Sequence, residues 1–555
     1  MTEILVVIVT GLVVIAASTV IGPRLGIASP LVLVAIGVGV SFLPIFGSTH
    51  IDPEWILEGI LPPLLYSSAV SMPAMNFRRE FGAIGSLSVV LVVASALILG
   101  VFFMLVIPDL GFAWGVALGA IVSPTDAVAT SIIKQMPVSR RVVAMLDGES
   151  LLNDATALVL LRTAIVAAAA SFSFWGAVGS FAYSVAVAAV IGWLVGWLNL
   201  AVRKRITDPT ANTVISFAVP FLASVPATML GASGLVAAVV AGLITGILAP
   251  RQLSAQNRLS DSQNWRTVEL VLEGAVFLTM GVQIRSIVMN VEKDHGGVWL
   301  AVLIAVGALL LTIVVRAAYV APLLGILSRR GARTVQMRER MQGVQERLDT
   351  PEGTKEAYGE FTTRKRASDR DLSRFAFRVT QAIADIDYFL RQPLGWRDGT
   401  IVVWAGMRGA VTVAAAQTLP DDTPQRSVIV LIAFAVAALS LLIQGGTIGP
   451  LLRRLAPVRD DGAADVARTE ERARLMQLMR SSAESIPQPP SHDGPPGAAD
   501  FTVATEHRLA VIAAQRAELL DARDHGTFDA DLLATELANL DATEIAIDMR
   551  GRSAG

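Results

Sequence analysis

Polar residues suited to binding an ion occur inside an otherwise apolar stretch of the sequence, at Ser123-Pro124-Thr125-Asp126. Pro124 lacks an amide hydrogen and disfavours helical backbone at Ser123, so a helix crossing this stretch should break and leave free backbone carbonyls. Half-helix ends and unwound carbonyls beside Thr125 and Asp126 suit the coordination of a cation. The alternative interpretation is a proline kink with a hydrogen-bonded aspartate.

A second polar cluster follows at residues 147–154, which read Asp-Gly-Glu-Ser-Leu-Leu-Asn-Asp. In a helix, Ser150 lies one turn from Asp154, and Asn153 lies beside them on the same face. This face presents a hydroxyl, an amide and a carboxylate, which are the oxygen donors that a hard monovalent cation such as Na+ needs. Because one carboxylate can hold either a proton or a cation, we predict that the two compete at Asp154. The alternative, a helix end exposed to water, is disfavoured by the apolar residues on both sides.

Two arginines lie in similarly apolar surroundings, Arg316 after Leu-Thr-Ile-Val-Val and Arg408 between two glycines in Gly-Met-Arg-Gly. A buried guanidinium requires a carboxylate partner, and Glu149 is the natural candidate for Arg316. The alternative is that Arg316 extends its head group to the membrane surface. Arg408 can offset carboxylates and helix-dipole ends at a second break. Arg162 is a further polar residue that the sequence does not place.

The elements that must position these residues follow from composition. The chain has 555 residues, of which 53% are hydrophobic and 17% charged, against roughly 25% charged in ordinary soluble domains. Apolar blocks of about 20 residues are long enough to cross a bilayer. We therefore predict an all-α polytopic membrane protein with thirteen transmembrane helices. The predicted spans are 3–23, 29–46, 56–73, 82–107, 112–133, 141–170, 174–201, 211–230, 233–249, 266–288, 297–326, 399–419 and 427–452.

The order of these spans suggests an internal symmetry. If the first six and the last six spans are inverted repeats, the Pro-interrupted span 112–133 corresponds to the Gly-interrupted span 399–419. Interrupted helices at matching positions of two repeats indicate the binding site of a secondary transporter. We therefore predict that the two broken helices cross.

The connections between spans differ in charge. Basic residues concentrate in every second connection, which predicts that the amino terminus lies outside and the carboxyl terminus in the cytoplasm. The connections concerned carry Arg24, Arg78, Arg79, Lys134, Arg140, Arg141, Arg203, Lys204, Arg205, Arg251 and Arg258.

Polar segments divide the chain further. Residues 1–326 and 399–455 form the two parts of the transmembrane domain, 327–398 is a cytoplasmic polar helical insertion, and 456–555 is a cytoplasmic tail expected to be regulatory. The basic residues of the insertion, which include Arg329, Arg330, Arg333, Arg338, Arg340 and the triplet 364–366, suit either a solvated helix face or anionic lipid headgroups.

Several classes of function are disfavoured. The chain has no cysteine and a net charge of -2, so thiolate chemistry is excluded and nothing suggests nucleic acid as a partner. No phosphate-binding loop is present, so transport would be driven by an ion gradient, and we expect no cofactor. A cation channel is the first alternative, although a channel would not need paired broken helices. An intramembrane hydrolase is the second, and it lacks both an H-E-x-x-H and a G-x-S-x-G motif.

Five motifs together resemble the monovalent cation/proton antiporters of the sodium/proton exchanger type, in its Asn-Asp electroneutral branch. The resemblance covers roughly residues 1–455 and rests on 123–126, 148–154, 280–283, Arg316 and 406–409. It implies that the transported ion is bound by Asp154, Asn153, Ser150, Thr125 and Asp126, with Na+ held at Asp154, Thr125 and Ser150. It also implies a structural ion pair of Glu149 with Arg316, and support of the broken helices by Pro124 and Arg408.

The resemblance implies a secondary transporter rather than an enzyme, with lipid surroundings and a monovalent cation as its substrate. Because Asn153 stands where electrogenic relatives have a second aspartate, it implies electroneutral exchange of one Na+ for one H+. It further implies a homodimer in the plasma membrane, elevator-type alternating access, and a role in intracellular pH and sodium homeostasis. Whether Na+, Li+ or K+ is preferred stays open.

Overall fold

The structure is a computed structural model, and all of its regular elements in the described residues are helical. It describes residues 2–25, 28–43, 52–134, 136, 138–169, 174–293, 297–348, 350–361, 368–455, 461–489 and 498–553. The basic triplet 364–366 lies outside these residues.

The first part of the chain leads to the interrupted segment around Pro124. Its elements are α1 (Thr2–Leu25), α2 (Ser29–Ser41), a π-helical turn (Trp55–Ile60), α3 (Leu61–Ser71), α4 (Ala74–Gly85), a second π-helical segment (Ser86–Leu91), α5 (Val92–Val106), α6 (Gly111–Val122), α7 (Val128–Ile133) and α8 (Arg140–Ala169).

The central part contains the longest helices. They are α9 (Phe174–Arg203), α10 (Pro209–Met229), α11 (Gly234–Gln252), α12 (Ala255–Val282), α13 (Ile284–Lys293), α14 (Val298–Leu348), α15 (Pro351–Phe361) and α16 (Asp369–Arg391).

The last part begins with the second interrupted segment and ends in the tail helices. Its elements are α17 (Trp396–Trp404), α18 (Ala410–Gln417), α19 (Arg426–Ser440), a third π-helical segment (Leu441–Gly445), α20 (Gly446–Leu455), α21 (Asp461–Glu484), α22 (Ala498–His525) and α23 (Ala530–Ser553).

The number of membrane spans differs from the prediction. The described residues contain nine helical stretches long and apolar enough to cross a membrane. The all-α polytopic class is confirmed, but the count of thirteen is not. Two of the predicted spans, 112–133 and 399–419, are interrupted by non-helical backbone, and 29–46 contains a helix of only 13 residues. The span predicted at 56–73 consists of a π-helical turn followed by the short α3.

Small residues bring α6 into backbone contact with α5. A Cβ atom at Gly115 would lie 2.5 Å from the carbonyl oxygen of Gly100, so any larger residue would push the two helices apart. The other flank of α6 packs against α8. This packing fixes the end of α6, where the chain breaks at Ser123, beside the polar cluster of α8.

The chain forms two compact units. The first comprises Met1–Ala249, Ser260–Leu324 and Gly395–Ala456, and the second comprises Pro250–Leu259, Gly325–Leu394 and Pro457–Gly555. In the second unit, Leu475 of α21, Leu519 of α22 and Leu533 of α23 are buried in one apolar cluster. Burial of these leucines holds the tail helices together as a small bundle.

Two arginines that the sequence assigns to connections are buried in the first unit. Arg141 donates from Nε to Oε1 of Glu80 over 2.6 Å, and Arg203 donates from Nη2 to Oδ2 of Asp261 over 2.8 Å. Removal of either partner would leave an uncompensated buried charge. These two arginines are therefore structural, and the orientation of the chain, which the sequence inferred partly from them, stays a prediction.

Candidate ion-binding site

The candidate site lies at two interruptions of the helical backbone. α6 ends at Val122 and α7 begins at Val128, with the backbone around Pro124 non-helical between them. In the same way, α17 ends at Trp404 and α18 begins at Ala410. Both interruptions occur where the proline and the paired glycines of the sequence predict them.

The two non-helical segments meet at Asp126. Its backbone N–H donates a hydrogen bond to the carbonyl oxygen of Met407 over 2.7 Å. Gly409 lies so close to the Asp126 carboxylate that a Cβ atom there would overlap it. Asp126 Oδ1 also accepts from the backbone N–H of Val128 over 2.9 Å, at the start of α7. The aspartate thus links one interrupted segment to the other.

Arg408 occupies the centre of the second break and is buried. Its Nε donates to the carbonyl oxygen of Val122 over 3.0 Å, which is one of the acceptors left free where α6 ends. Its own backbone N–H donates to Oγ of Ser440 over 2.9 Å. The guanidinium therefore faces the negative end of the α6 dipole, where a cation is stabilising.

Glu149 and Arg316 form a bidentate ion pair, with side chains only 2% and 3% exposed. Nη2 of Arg316 donates to Oε2 of Glu149 over 2.7 Å, and Nη1 donates to Oε1. Nε of Arg316 donates to the carbonyl oxygen of Val402 in α17 over 2.9 Å. The pair thus connects α8, α14 and the second interrupted segment, and such a bidentate pair is geometrically specific.

Thr125 and Asn153 are joined directly. Nδ2 of Asn153 donates to Oγ1 of Thr125 over 2.7 Å and to its carbonyl oxygen over 3.1 Å, and Thr125 Oγ1 donates to Glu149 Oε1 over 3.2 Å. Asn153 is 0% exposed, and its Oδ1 has no hydrogen-bond partner among the described residues. A buried amide oxygen without a donor is suited to accept a cation.

A cavity of about 110 Å³ lies at the crossing. Four of the five predicted ion ligands line it, namely Thr125, Asp126, Ser150 and Asp154, and Pro124 lines it as well. The fifth, Asn153, is not among the lining residues and reaches the site through its hydrogen bonds to Thr125. Ser150 Oγ donates to the carbonyl oxygen of Asp147 over 3.1 Å, so its lone pairs stay available. The cavity has room for a cation with several waters.

Two further carboxylates line this cavity, Glu269 and Glu273 of α12. They lie near the beginning of the predicted span 266–288, where charged residues at the membrane surface are common. For this reason the sequence pattern did not predict them as residues of the site. Their signal was present in the sequence: two acidic residues four apart on an apolar helix share one face, and acidic groups in such spans indicate function.

Arg162, which the sequence did not place, lines a second cavity of about 700 Å³ in the first unit. Glu54, Glu58 and Ser184 line the same cavity. Arg162 lies two helical turns beyond Asp154 in α8, and it is not among the residues that line the smaller cavity.

Comparison with known proteins places this site in a wider context. A family model described as "Sodium/hydrogen exchanger, transmembrane" matches residues 8–343 and 374–454. An uncharacterized Na+/H+ exchanger of Mycobacterium tuberculosis is 28% identical over 501 residues, which cover 87% of this chain and 81% of that protein. A "sodium, potassium, lithium and rubidium/H+ antiporter" of Bacillus pumilus is 28% identical over 303 residues, or 53% of this chain and 45% of that protein.

A solved structure has a similar fold. The sodium proton antiporter MjNhaP1 of Methanocaldococcus jannaschii, determined at pH 8, matches with a TM-score of 0.54 and 15% sequence identity. The match covers 82% of this chain and 99% of that one. At this identity the similarity concerns the fold alone.

Proposed function

The chain belongs to the sodium/hydrogen exchanger family and is a secondary transporter rather than an enzyme, and from this premise we propose that it exchanges Na+ for H+ across the plasma membrane at Asp154. The observation that carries the proposal is the shared lining of one small cavity by Thr125, Asp126, Ser150 and Asp154 at two interrupted helices. These side chains supply the oxygen ligands that Na+ prefers.

In the proposed cycle, ionised Asp154 binds Na+ together with Ser150 Oγ and an oxygen of Thr125. A proton that reaches Asp154 from the opposite side of the membrane neutralises the carboxylate and releases Na+ to that side. Asp154 therefore carries one positive charge in each direction, as Na+ in one and as H+ in the other. Asn153 orients Thr125 through its two hydrogen bonds. The Glu149–Arg316 pair holds the α8 cluster against α17 and plays no part in carrying charge.

We propose that the exchange is electroneutral. Asn153 cannot titrate, and Asp126 is fixed between two backbone segments by its contacts with Met407 and Val128. Asp154 is then the single group whose charge alternates, provided that the other carboxylates of the cavity keep one protonation state throughout the cycle.

The remaining features are proposed by analogy with the family. They are a homodimer, elevator-type alternating access, an external amino terminus with a cytoplasmic carboxyl terminus, a regulatory tail at 456–555, and a role in pH and sodium homeostasis. The Bacillus pumilus relative is named for transport of sodium, potassium, lithium and rubidium, which makes Li+ and K+ the natural competitors of Na+ here. Selection among these ions depends on cavity dimensions, because the ligand types suit all of them.

Flux measurements in proteoliposomes test the proposal. The purified chain is reconstituted into vesicles that contain a pH-sensitive dye, and their interior is made acidic relative to the outside. Na+, Li+, K+ or choline is then added to the outside in turn. We expect Na+ to dissipate the gradient and choline to leave it unchanged. If Na+ crosses at equal pH on both sides and generates a membrane potential, the protein is a channel and the proposal is wrong.

A further inference from the structure

We propose that Ser440 and Gln444 are positioning residues of the ion site, because their side chains replace a backbone hydrogen bond that is missing at the second interruption. The proposal rests on the proposed exchange at Asp154 and extends it to two residues that do not line the cavity. Ser440 ends α19, and Gln444 lies in the third π-helical segment, Leu441–Gly445. Both side chains are fully buried. Such segments within helices occur frequently at functional sites.

The missing hydrogen bond is the one between Arg408 and Trp404. In a continuous α-helix, the N–H of residue 408 would donate to the carbonyl oxygen of residue 404, four positions earlier. Here the helix is interrupted, and the N–H of Arg408 donates instead to Ser440 Oγ over 2.9 Å. The carbonyl oxygen of Trp404 accepts from Nε2 of Gln444 over 3.1 Å. Both backbone groups are therefore satisfied by side chains, as buried backbone groups must be.

A third hydrogen bond joins the two side chains. Ser440 Oγ donates to Oε1 of Gln444 over 2.6 Å. A hydroxyl has one proton and two lone pairs, so Ser440 can accept from Arg408 and donate to Gln444 at the same time. The amide nitrogen of Gln444 must then face Trp404, because two carbonyl oxygens cannot bond to each other. The result is a relay of three hydrogen bonds from the Arg408 N–H to the Trp404 carbonyl.

This relay holds backbone that reaches the ion site. The carbonyl oxygen of Met407, the residue before Arg408, accepts from the N–H of Asp126, which lines the cavity. The Nε of Arg408 donates to the carbonyl oxygen of Val122, where α6 ends. Because the relay fixes the backbone of Arg408, it also fixes these two contacts. Residues behind the ligands of an ion site orient those ligands and tune the affinity.

The first interruption is satisfied in a similar way. Nδ2 of Asn153 donates to the carbonyl oxygen of Thr125, and Oε1 of Glu149 accepts from Oγ1 of Thr125. Glu149 and Asn153 are four positions apart in α8, as Ser440 and Gln444 are in the chain after α18. Each interruption is therefore satisfied by two buried polar residues at the same spacing. This parallel supports a role for the second pair at the site that the first pair serves.

The test compares Ser440→Ala and Gln444→Met with wild type in proteoliposomes that contain equal amounts of folded protein. Methionine matches glutamine in length, and alanine lacks only the serine hydroxyl. We expect the apparent KM for Na+ to rise about two- to tenfold in each variant, because the loss of one hydrogen bond loosens the contact with Asp126. Ser440→Thr keeps the hydroxyl and should keep the wild-type KM. Ser18→Ala is the matched control, since this buried hydroxyl bonds only within α1.

The double variant tests whether the two residues act as one relay. Because either substitution breaks the same relay, Ser440→Ala/Gln444→Met should have a KM close to the larger of the two single values. A KM that rises by the product of the two single effects would show independent contacts and overturn the relay. If Gln444→Met does not yield folded protein, the comparison of Ser440→Ala with Ser440→Thr decides the question.

A purely structural role has a different outcome. A lower melting temperature with an unchanged KM for Na+ in the variants would overturn the positioning role, because the ion site would then be insensitive to the relay. An equal rise of KM in Ser440→Ala and Ser440→Thr would overturn it as well, since threonine retains the hydroxyl. These results are distinguishable from failure of the proposed function, in which wild type itself shows no cation-dependent proton movement.

Discussion

The backbone N–H of Asp126 donates a hydrogen bond to the carbonyl oxygen of Met407 over 2.7 Å. This bond joins the interruption between α6 and α7 to the interruption between α17 and α18, although the two residues are far apart in sequence. Non-helical backbone at membrane depth requires such mutual satisfaction of its polar groups. The candidate ion site therefore lies where the two interrupted segments contact each other.

The close approach of Gly409 to Asp126 gives the first prediction. Gly409→Ala should abolish or strongly reduce exchange, because a methyl group would overlap the Asp126 carboxylate and separate the two interrupted segments. Cation-driven proton flux in proteoliposomes measures the effect. Gly446→Ala is the control, since nothing lies within 4 Å of its added Cβ atom. Normal flux in Gly409→Ala would contradict the predicted importance of this contact.

The Glu149–Arg316 pair is predicted to be structural. Arg316→Ala should destabilise the protein by about 3–5 kcal/mol, because it leaves the buried Glu149 carboxylate uncompensated. The melting temperature in detergent should fall, whereas Arg24→Ala, at an exposed position, should melt like wild type. If Arg316→Ala keeps the wild-type melting temperature but loses transport, the residue belongs to the ion pathway instead.

Electroneutrality makes a prediction about the membrane potential. A potential of 100 mV acts on a moving unit charge with ~2.3 kcal/mol, but a one-for-one exchange of Na+ for H+ moves no net charge. Collapsing the potential with valinomycin and K+ should leave the pH gradient sustained by a fixed Na+ gradient unchanged. A changed gradient, or a sustained current on a solid-supported membrane, would indicate a second group that titrates during the cycle, with Asp126 and Glu273 as the first candidates.

The tail bundle depends on one aspartate. Asp541 of α23 accepts hydrogen bonds from Arg258 over 2.9 Å and from Arg516 over 2.8 Å, all within the second unit. Asp541→Asn should destabilise this unit by about 1–3 kcal/mol, because both guanidiniums lose a charged acceptor. Hydrogen exchange of α22 and α23 should accelerate, and Asp548→Asn, which alters an exposed position on the same helix, should not change it. Equal protection in both variants would show that the leucine core alone holds the bundle.

The interruptions and the α8 cluster could be predicted from the sequence because their causes are local. Pro124 removes a backbone donor and disfavours helical backbone at Ser123, and Ser150, Asn153 and Asp154 share a helix face by spacing alone. The number of membrane spans was predicted less accurately than the interruptions. Apolar residues continue across a break and through short helices, so hydropathy alone counts the interrupted segment 112–133 as one ordinary span.

Contacts between distant helices account for what the sequence did not predict. The spacing of Glu269 and Glu273 marks them as a functional pair, but only the three-dimensional structure shows that they line the cavity at the crossing. Arg203 looked like one of several basic residues in a connection, but it is buried through its pairing with Asp261. The hydrogen bonds of Asn153 to Thr125 likewise depend on how α8 packs against the interrupted segment.

Comparison of wild type with Asp154→Asn in proteoliposomes tests the central claim most directly. Asparagine keeps the shape of the side chain but holds neither a proton nor the charge that balances Na+. With equal amounts of folded protein, verified by gel filtration and melting temperature, wild type should dissipate an imposed pH gradient upon addition of Na+ and Asp154→Asn should not. Retained Na+-driven proton movement in Asp154→Asn would contradict the account, because another group would then be exchanging the proton for the cation.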